Sequence, residues 1–353
     1  MPERTHGNDP ERRVVELLDG ALIAQIMSVA VRLGLPDHLA AGTKSPAELA
    51  DLTGCEPDAM SRFLRAWCAL GMAELDEFGR LHGMPLAIPL TASSPRSLRG
   101  LALLCGREYH GAWGELVHTL RTGEPGFDHR YGRSLWAHLA DDDTAGAAFD
   151  QTMSFNTEGV IEQILDRYDF STAAVVADIG AAEGALLAAV LDRYPRARGL
   201  AFDLPAAVER CRARFARRGL AERCDIVAGD FLDHVPPGAD IYVLKAILHN
   251  WDDERAKRIL RNCAAAMPSG SRLLVIENAA PERPTGPGAT EGAALRPALR
   301  DLEMLVLLGG RDRTVSEHAE LIRGAGFTEV RVLAGSTRPA LLEAINSRGG
   351  ALS

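Results

Sequence analysis

The sequence predicts an α/β domain built on a doubly wound parallel sheet, preceded by a mostly helical N-terminal region. Short apolar runs alternate with helix-length segments from residue 173 onward, the spacing of a parallel sheet with crossover helices. Asp178-Ile-Gly180-Ala181-Ala182-Glu183-Gly184 follows one such run and opens a helix, which reads as strand, tight turn and helix N-terminus. Residues 1–100 carry helical periodicity and then a hairpin signal, so they form a separate region.

From the N-terminus, Val14–Leu33 has a broad apolar face for one helix. Ser45 with Pro46 and Glu48 starts a second, which ends at the turn Leu52-Thr53-Gly54. Asp58–Leu70 is a third, and Met72–Leu75 and Arg80-Leu81 flank a turn at Asp76-Glu77-Phe78-Gly79. Helix, turn, helix and hairpin make a winged-helix pattern. Arg62 and Arg65 leave a DNA-binding reading open, but Asp58 and the acidic tip Asp76-Glu77 oppose it, because phosphate calls for a basic wing. Residues 101–170 read as helices Leu101–Gly106, Ala112–Leu120, Ser134–Ala140 and Thr144–Asp166, with a break at Gly123–Gly126.

Strands are expected at Ala173–Ala177, Gly199–Phe202, Asp225–Ala228, Asp240–Leu244 and Arg272–Glu277. Helices are expected at Ala185–Leu191, Glu254–Met267, Leu299–Gly309 and Arg313–Gly324, the last capped by Thr314 or Ser316. Gly286-Pro287-Gly288 with Thr290–Gly292 reads as a mobile insertion, and Glu329–Leu333 with Leu341–Ala344 as a closing hairpin. The expected division is 1–100, 101–170 and 171–348.

The 353 residues are 46% apolar and 25% charged, ordinary for a globular protein, and the net charge of −9 argues against a nucleic-acid partner. The six cysteines (55, 68, 105, 211, 224 and 263) show no metal spacing, so no metal is expected and a reducing, cytoplasmic setting is. The first residues lack the apolar core of a signal peptide, and no apolar run reaches about 18 residues, so no membrane partner is expected. Met1–Pro10 and Arg348–Ser353 read as disordered.

The chemistry begins at the glycine turn. A dinucleotide site calls for G-x-G-x-x-G, and Glu183 at the helix mouth would repel a pyrophosphate. An acidic rim suits a cofactor with an amine and a sulfonium, S-adenosylmethionine; the turn by itself reads equally as an ordinary βα loop. Asp203, 25 positions after Asp178, can accept both ribose hydroxyls. Gly229-Asp230-Phe231 at a strand end can bond the adenine amino group and cover its ring. Ala181 and Ala182 are expected to keep negative φ or to widen the turn. His249, just past the fourth strand, is placed either as a general base or as a structural histidine capping the next helix.

Leu244-Lys245-Ala246-Ile247-Leu248-His249-Asn250-Trp251-Asp252-Asp253-Glu254, continuing to Leu260, resembles the signature of S-adenosylmethionine-dependent O-methyltransferases that act on small aromatic molecules in phenolic and polyketide pathways. Asp301–Met304 and Gly309-Gly310-Arg311-Asp312-Arg313-Thr314 with Glu317 match as well, and the resemblance runs from about residue 15 to about 345. It implies a Rossmann-like catalytic domain and a winged-helix dimerisation domain whose first helix swaps around a homodimer partner. It also implies that residues 101–170 form one wall of the acceptor pocket, and that His249 is the base flanked by Glu277 and Asp312. The family has Glu at the second place, so Asp312 implies a looser contact. Asn250 stands where the family has Asp, which implies a different neighbouring group on the acceptor.

The implied cofactor set is Asp178, Gly180, Gly184, Asp203, Leu204, Gly229, Asp230, Phe231, Lys245 and Trp251, where Lys245 also reads as a surface lysine and Trp251 as packing. The acceptor set is Trp113, Trp136, Phe149, Met153, Asn156, Asn250, Met304 and Leu308, of which the apolar members read equally as core. Two rivals stand beside methyl transfer: a relative of the same fold catalysing hydroxylation, decarboxylation or a pericyclic step, and a winged-helix regulator.

Overall fold

Apolar runs separated by glycine, proline and capping residues fold into the expected alternation. The computed structural model describes residues 9–282, 291–334 and 339–347. The chain divides into two compact units, Met1–Gly111 with Asp141–Phe155, and Ala112–Ala140 with Asn156–Ser353. The expected linker of residues 101–170 is therefore shared between them.

In the first unit, α1 (Pro10–Arg32), α2 (Leu35–Ala40), α3 (Pro46–Thr53) and α4 (Pro57–Ala69) precede the hairpin β1 (Ala73–Leu75) and β2 (Leu81–Gly83), and α5 (Arg99–Gly106) follows. Ser45 and Glu48 close a reciprocal capping box on α3, and Gly54 ends it in the left-handed conformation. Trp67, Leu35, Leu49 and Leu81 are fully buried in this unit's core. α1 packs on α5, and a Cβ on Gly106 would overlap Ser28 of α1.

The outer face of α1 is bare: Val14, Val15, Leu17, Leu18 and Leu22 are 54–70% exposed. Against expectation, α1 is long and apolar enough, by length and composition, to cross a membrane. The expectation counted uninterrupted apolar residues, whereas from Val14 to Val31 only Glu16 and Asp19 are charged.

Glycines redraw the middle of the chain. α6 (Glu108–Trp113) and α7 (Leu116–Thr122) replace one expected helix, with Gly114 between them. α8 (Gly126–Tyr131) begins inside the expected break, and α9 (Leu135–Asp141) follows. The expected helix 144–166 is two, α10 (Asp143–Glu158) and α11 (Ile161–Arg167), split at Gly159.

The second unit holds a seven-stranded sheet: β3 (Val175–Ile179), β4 (Arg198–Asp203), β5 (Cys224–Ala228), β6 (Ile241–Lys245), β7 (Arg272–Glu277), β8 (Glu329–Ala334) and β9 (Ala340–Ile345). Their order is β5-β4-β3-β6-β7-β9-β8, parallel from β5 to β7, with β9 antiparallel to both β7 and β8. Both faces are covered. Ala177, Ile179, Tyr242, Leu244, Leu273 and Val275 pack on one side, and Val176, Ile241, Val243, Leu274 and Ile276 on the other. This is why the strands read as continuous apolar runs.

The crossover helices are α12 (Ala185–Arg193), α13 (Pro205–Arg217), α14 (Asp253–Ala266), α15 (Glu291–Leu308) and α16 (Val315–Gly324). Thr314, not Ser316, caps α16 and forms a capping box with Glu317. Residues 286–290 of the expected insertion, 1–8 of the expected leader and the tail from 348 lie outside the described residues, whereas Glu291 and Gly292 begin α15 and Pro10 begins α1.

Gly106→Val should force α1 off α5. The expected result is a loss of about 1–3 kcal/mol in urea unfolding, the usual range for overpacking; unchanged stability would contradict the close approach.

Candidate active site

The strand order reverses between β3 and β6, and in open α/β sheets the crevice beyond that reversal is where ligands bind. Both chemical motifs of the sequence lie there. After β3, Gly180 (φ 78°) and Gly184 (φ 74°) take left-handed backbone. A Cβ on Gly180 would overlap Ile247 and lie 3.5 Å from the Phe231 ring; one on Gly184 would lie 2.5 Å from Phe215. The turn can therefore be built only with glycine at these two places.

Ala182 corrects the expectation: it adopts φ 49°. Left-handed backbone costs a non-glycine residue about 1–2 kcal/mol. Asp203 holds it there, its Oδ2 accepting from the Ala182 N–H at 2.7 Å and its Oδ1 from the Leu204 N–H at 2.7 Å. Burial raises the Asp203 pKa, and these amides oppose the rise. The carboxylate expected to meet a ribose thus also organises the loop. Glu183 is paired rather than free on the rim: Arg214 reaches it at 3.0 Å and Glu158 at 2.8 Å.

Asp178 is buried, and burial pushes its carboxyl up to about 7, with Asp203 adding to the rise and Lys245 opposing it. Lys245 is no surface lysine. Burial lowers its pKa against the pull of Asp178 and Glu277, and Nζ donates to Thr157 Oγ1 at 2.7 Å.

Gly229 sits where a Cβ would lie 2.5 Å from Phe202, and its N–H donates to the Asp203 carbonyl. Asp230 Oδ1 accepts from the Leu232 N–H at 2.8 Å. Phe231 stands edge-on to Trp251 with centroids 6.0 Å apart, and Trp251 stacks on Trp136 at 6.4 Å. The sequence had assigned Trp136 to the acceptor and Trp251 to the cofactor; the fold makes them neighbours. The Trp251 indole N–H is buried and has no hydrogen-bond partner among the described residues.

After β6 the chain turns sharply at Ala246 (φ 56°), whose N–H continues the pairing with β7 by donating to the Ile276 carbonyl at 2.9 Å. Leu248–Asn250 then form a single 3-10 turn, and the Asn250 amide donates back to the Ala246 carbonyl at 3.3 Å. Glu277, ending β7, lies beneath this turn. Its Oε1 accepts from the N–H groups of Ile247 (3.1 Å) and Leu248 (2.8 Å), and its Oε2 lies 2.5 Å from His249 Nδ1. Burial alone would raise the Glu277 pKa, but His249, followed by His318 and the Leu248 N–H, outweighs it and holds the carboxyl at about 2.

Asp312 lies elsewhere in the network. Its Oδ2 accepts from Arg300 Nε at 2.6 Å, and no hydrogen bond joins it to His249 among the described residues. The extra methylene of a glutamate is missing, and Arg300 takes the shorter side chain. The motif's unassigned member is Arg313. It is fully buried, bonds the carbonyls of Leu248 and Trp251 at 2.8 Å each, and pairs with Asp253 at 2.7 Å. It fastens the chain on both sides of His249. Its sequence signal was the Arg311-Asp312-Arg313-Thr314 match itself.

Met304 and Leu308 lie on α15, which packs beside the 3-10 turn and against α7 and α8. Trp113 is half-buried at the end of α6, and Asn156 is exposed near the end of α10. Phe149 and Met153 lie on α10 in the first unit.

An O-methyltransferase domain model matches residues 113–328, and an O-methyltransferase dimerisation domain model matches residues 15–80. A phenazine O-methyltransferase of Lysobacter antibioticus is 37% identical over 331 residues, covering 94% of this chain and 95% of that protein. An aclacinomycin 10-hydroxylase of Streptomyces purpurascens is 38% identical over 308 residues, covering 85% and 80%. The crystal structure of an O-methyltransferase from neocarzinostatin biosynthesis, in complex with S-adenosylmethionine and 2-hydroxy-5-methyl naphthoic acid, superposes with a TM-score of 0.81 at 32% identity. That match covers 97% of this chain and 99% of the other. The chain belongs to the O-methyltransferase family. It is an S-adenosylmethionine-dependent O-methyltransferase.

The residues present fit that cofactor. A glycine cradle, the buried Asp178 with the half-buried Asp203, an aromatic group and an unpartnered buried indole N–H suit the nucleoside of S-adenosylmethionine.

The Glu277 carboxyl lies below its ordinary value of 4.5, so its contribution to stability is complete above pH 4.5 and is lost as pH falls through about 2. Glu277→Gln should be less stable than the parent in urea at pH 7, with the gap narrowing as pH drops across that window. A gap constant over that window would contradict the bonding of the buried carboxylate to the turn and to His249.

Proposed function

We propose that the enzyme methylates a hydroxyl of a small aromatic secondary metabolite, with His249 as general base. The observation that carries this reading is the pairing of His249 Nδ1 with the buried, ionised Glu277. With Nδ1–H directed to the carboxylate, Nε2 holds the lone pair and can accept the hydroxyl proton. Glu277 then stabilises the imidazolium and fixes its orientation, and its two backbone donors keep it ionised while it does so. A bound S-adenosylmethionine supplies an electrophilic methyl group on a sulfonium. Asp178, Gly180, Gly184, Asp203, Leu204, Gly229, Asp230, Phe231, Lys245 and Trp251 would hold it.

Asp312 serves this reading as a support of Arg300 rather than as a partner of the base. Trp113, Trp136, Phe149, Met153, Asn156, Asn250, Met304 and Leu308 are the proposed acceptor residues. The naphthoic acid in the neocarzinostatin relative supports an aromatic acceptor. The hydroxylase relative keeps a second reaction class in view; the intact His249–Glu277 pair favours methyl transfer.

The working form is proposed to be a cytoplasmic homodimer. The dimerisation-domain match supports it, and the bare apolar face of α1 is what a second copy would cover. Six cysteines, none of them in a disulfide among the described residues, suit a reducing compartment. The acidic hairpin tip gives no support to a nucleic-acid partner.

His249→Ala, assayed with S-adenosylmethionine and 1,4-dihydroxy-2-naphthoic acid alongside a panel of phenols, should lose about 10²–10⁴-fold in kcat. Cofactor affinity by calorimetry should stay within a few-fold. Full activity in the variant would leave catalysis to proximity alone. Leu18→Asp on α1 should shift the sedimentation coefficient from dimer to monomer; a dimer that persists would move the interface elsewhere.

A further inference from the structure

Thr157 and Glu158 are the last residues of α10, and they belong to the same unit as Glu183, Arg214 and Lys245. Each is tied to a different loop of the strand reversal. Thr157 Oγ1 accepts at 2.7 Å from Nζ of Lys245, the last residue of β6. Glu158 Oε1 accepts at 2.8 Å from Arg214 Nη2. The other arm of that guanidinium, Nη1, donates at 3.0 Å to Oε2 of Glu183, in the glycine turn after β3. β3 and β6 are neighbours in the sheet. Two consecutive residues are thus tied to both sides of the crevice, and the backbone that carries them runs across it.

The ties are not equally rooted. α13, which carries Arg214, is pressed on the glycine turn: a Cβ on Gly184 would lie 2.5 Å from Phe215 and 2.8 Å from Cys211 Sγ. Arg214, beside Phe215, is largely buried, whereas Glu158 is exposed. Glu158 also directly precedes the turn at Gly159 and Val160, where the Val160 N–H donates to the Thr157 carbonyl at 3.0 Å. Charge decides what the arginine does. Glu158 and Glu183 are like charges that would push α10's end and the glycine turn apart. One guanidinium between them converts that repulsion into two ion pairs. Its planar fork reaches two carboxylates at once, which an ammonium does less well.

We propose that Thr157 and Glu158 form a strap across the cofactor crevice and that Arg214 is its clasp. Arg214 is then a positioning residue: it holds the strap to the glycine turn and so sets how fast the cofactor enters and leaves. The inference rests on the glycine turn being the cofactor's seat. When the clasp parts, the strap moves on the turn at Gly159 and Val160 and uncovers the crevice on the Glu183 side. Closing segments of this kind gate ligand exchange and leave the chemical step to other residues.

Stopped-flow tryptophan fluorescence with S-adenosylhomocysteine gives the entry and exit rate constants of the full chain. Arg214→Gln should raise both by about three-fold or more. Arg214→Lys should fall between that variant and the parent. Adding Glu158→Gln to Arg214→Gln should bring both rates part of the way back, because it removes the repulsion left behind. A contact merely lost, or a damaged site, speeds exit without speeding entry. Unchanged or slower entry in Arg214→Gln therefore overturns the proposal, as does a double variant faster than the single one. If circular dichroism shows Arg214→Gln unfolded, Glu158→Ala decides alone: faster entry supports the strap, and unchanged entry overturns it. Calorimetry of the same probe with Asp203→Ala tests the seat separately. Unchanged affinity there puts the cofactor elsewhere, and the clasp falls with it. A loss of about ten-fold or more, with unmoved rates in the Arg214 variants, sinks only the clasp.

Discussion

A single buried carboxylate organises the catalytic end of the sheet. Glu277 has no water to solvate it, so its charge must be met by the protein. Two backbone N–H groups meet one oxygen and an imidazole meets the other. The same three bonds that keep the charge tolerable also fix the turn after β6 and the tautomer of His249. Fold and chemistry here share one interaction: a chain unable to close this turn could not bury Glu277, and without Glu277 the turn would carry unpaired amides at about 1–3 kcal/mol apiece.

Strain sits on both sides of the crevice. Ala182 and Ala246 are the two non-glycine residues with left-handed backbone among those described, one in each loop at the strand reversal. Each is held by identified bonds: Ala182 by the Asp203 carboxylate, and Ala246 by the Ile276 carbonyl and the Asn250 amide. Backbone strain of this kind persists only where the surroundings over-determine it. The surroundings here are the Asp203 carboxylate for Ala182 and the pairing with β7 for Ala246.

Much of this was legible in the residues. The central strands β3, β6 and β7 announced themselves because both sheet faces are covered there, so each is mostly an apolar run. Ser45, Gly54 and Thr314 marked helix ends because their side chain, or its absence, does a local job. The partnership of His249 and Glu277 was implied by the family resemblance, since position alone left His249 open between base and helix cap, and the structure brings the two side chains together. What escaped the reading depends on partners distant in sequence. Ala182 takes a glycine's conformation because a carboxylate 21 positions away bonds its amide. Asp312 turns to Arg300, and Arg313 fastens a turn more than 60 positions upstream. The splits at Gly114 and Gly159 were missed because an isolated glycine only weakens a helix locally, and packing decides whether it breaks.

Ile247 belongs to two assemblies at once. Its amide is tied to Glu277, while its side chain closes the wall against which Gly180 must stay bare. On the proposed roles of His249 and the glycine turn, the acid–base device and the nucleoside floor share a residue. Any shift of that short turn carries the proton acceptor and the edge of the donor's seat together. On that reading, one piece of backbone would set where the proton acceptor lies relative to the methyl donor.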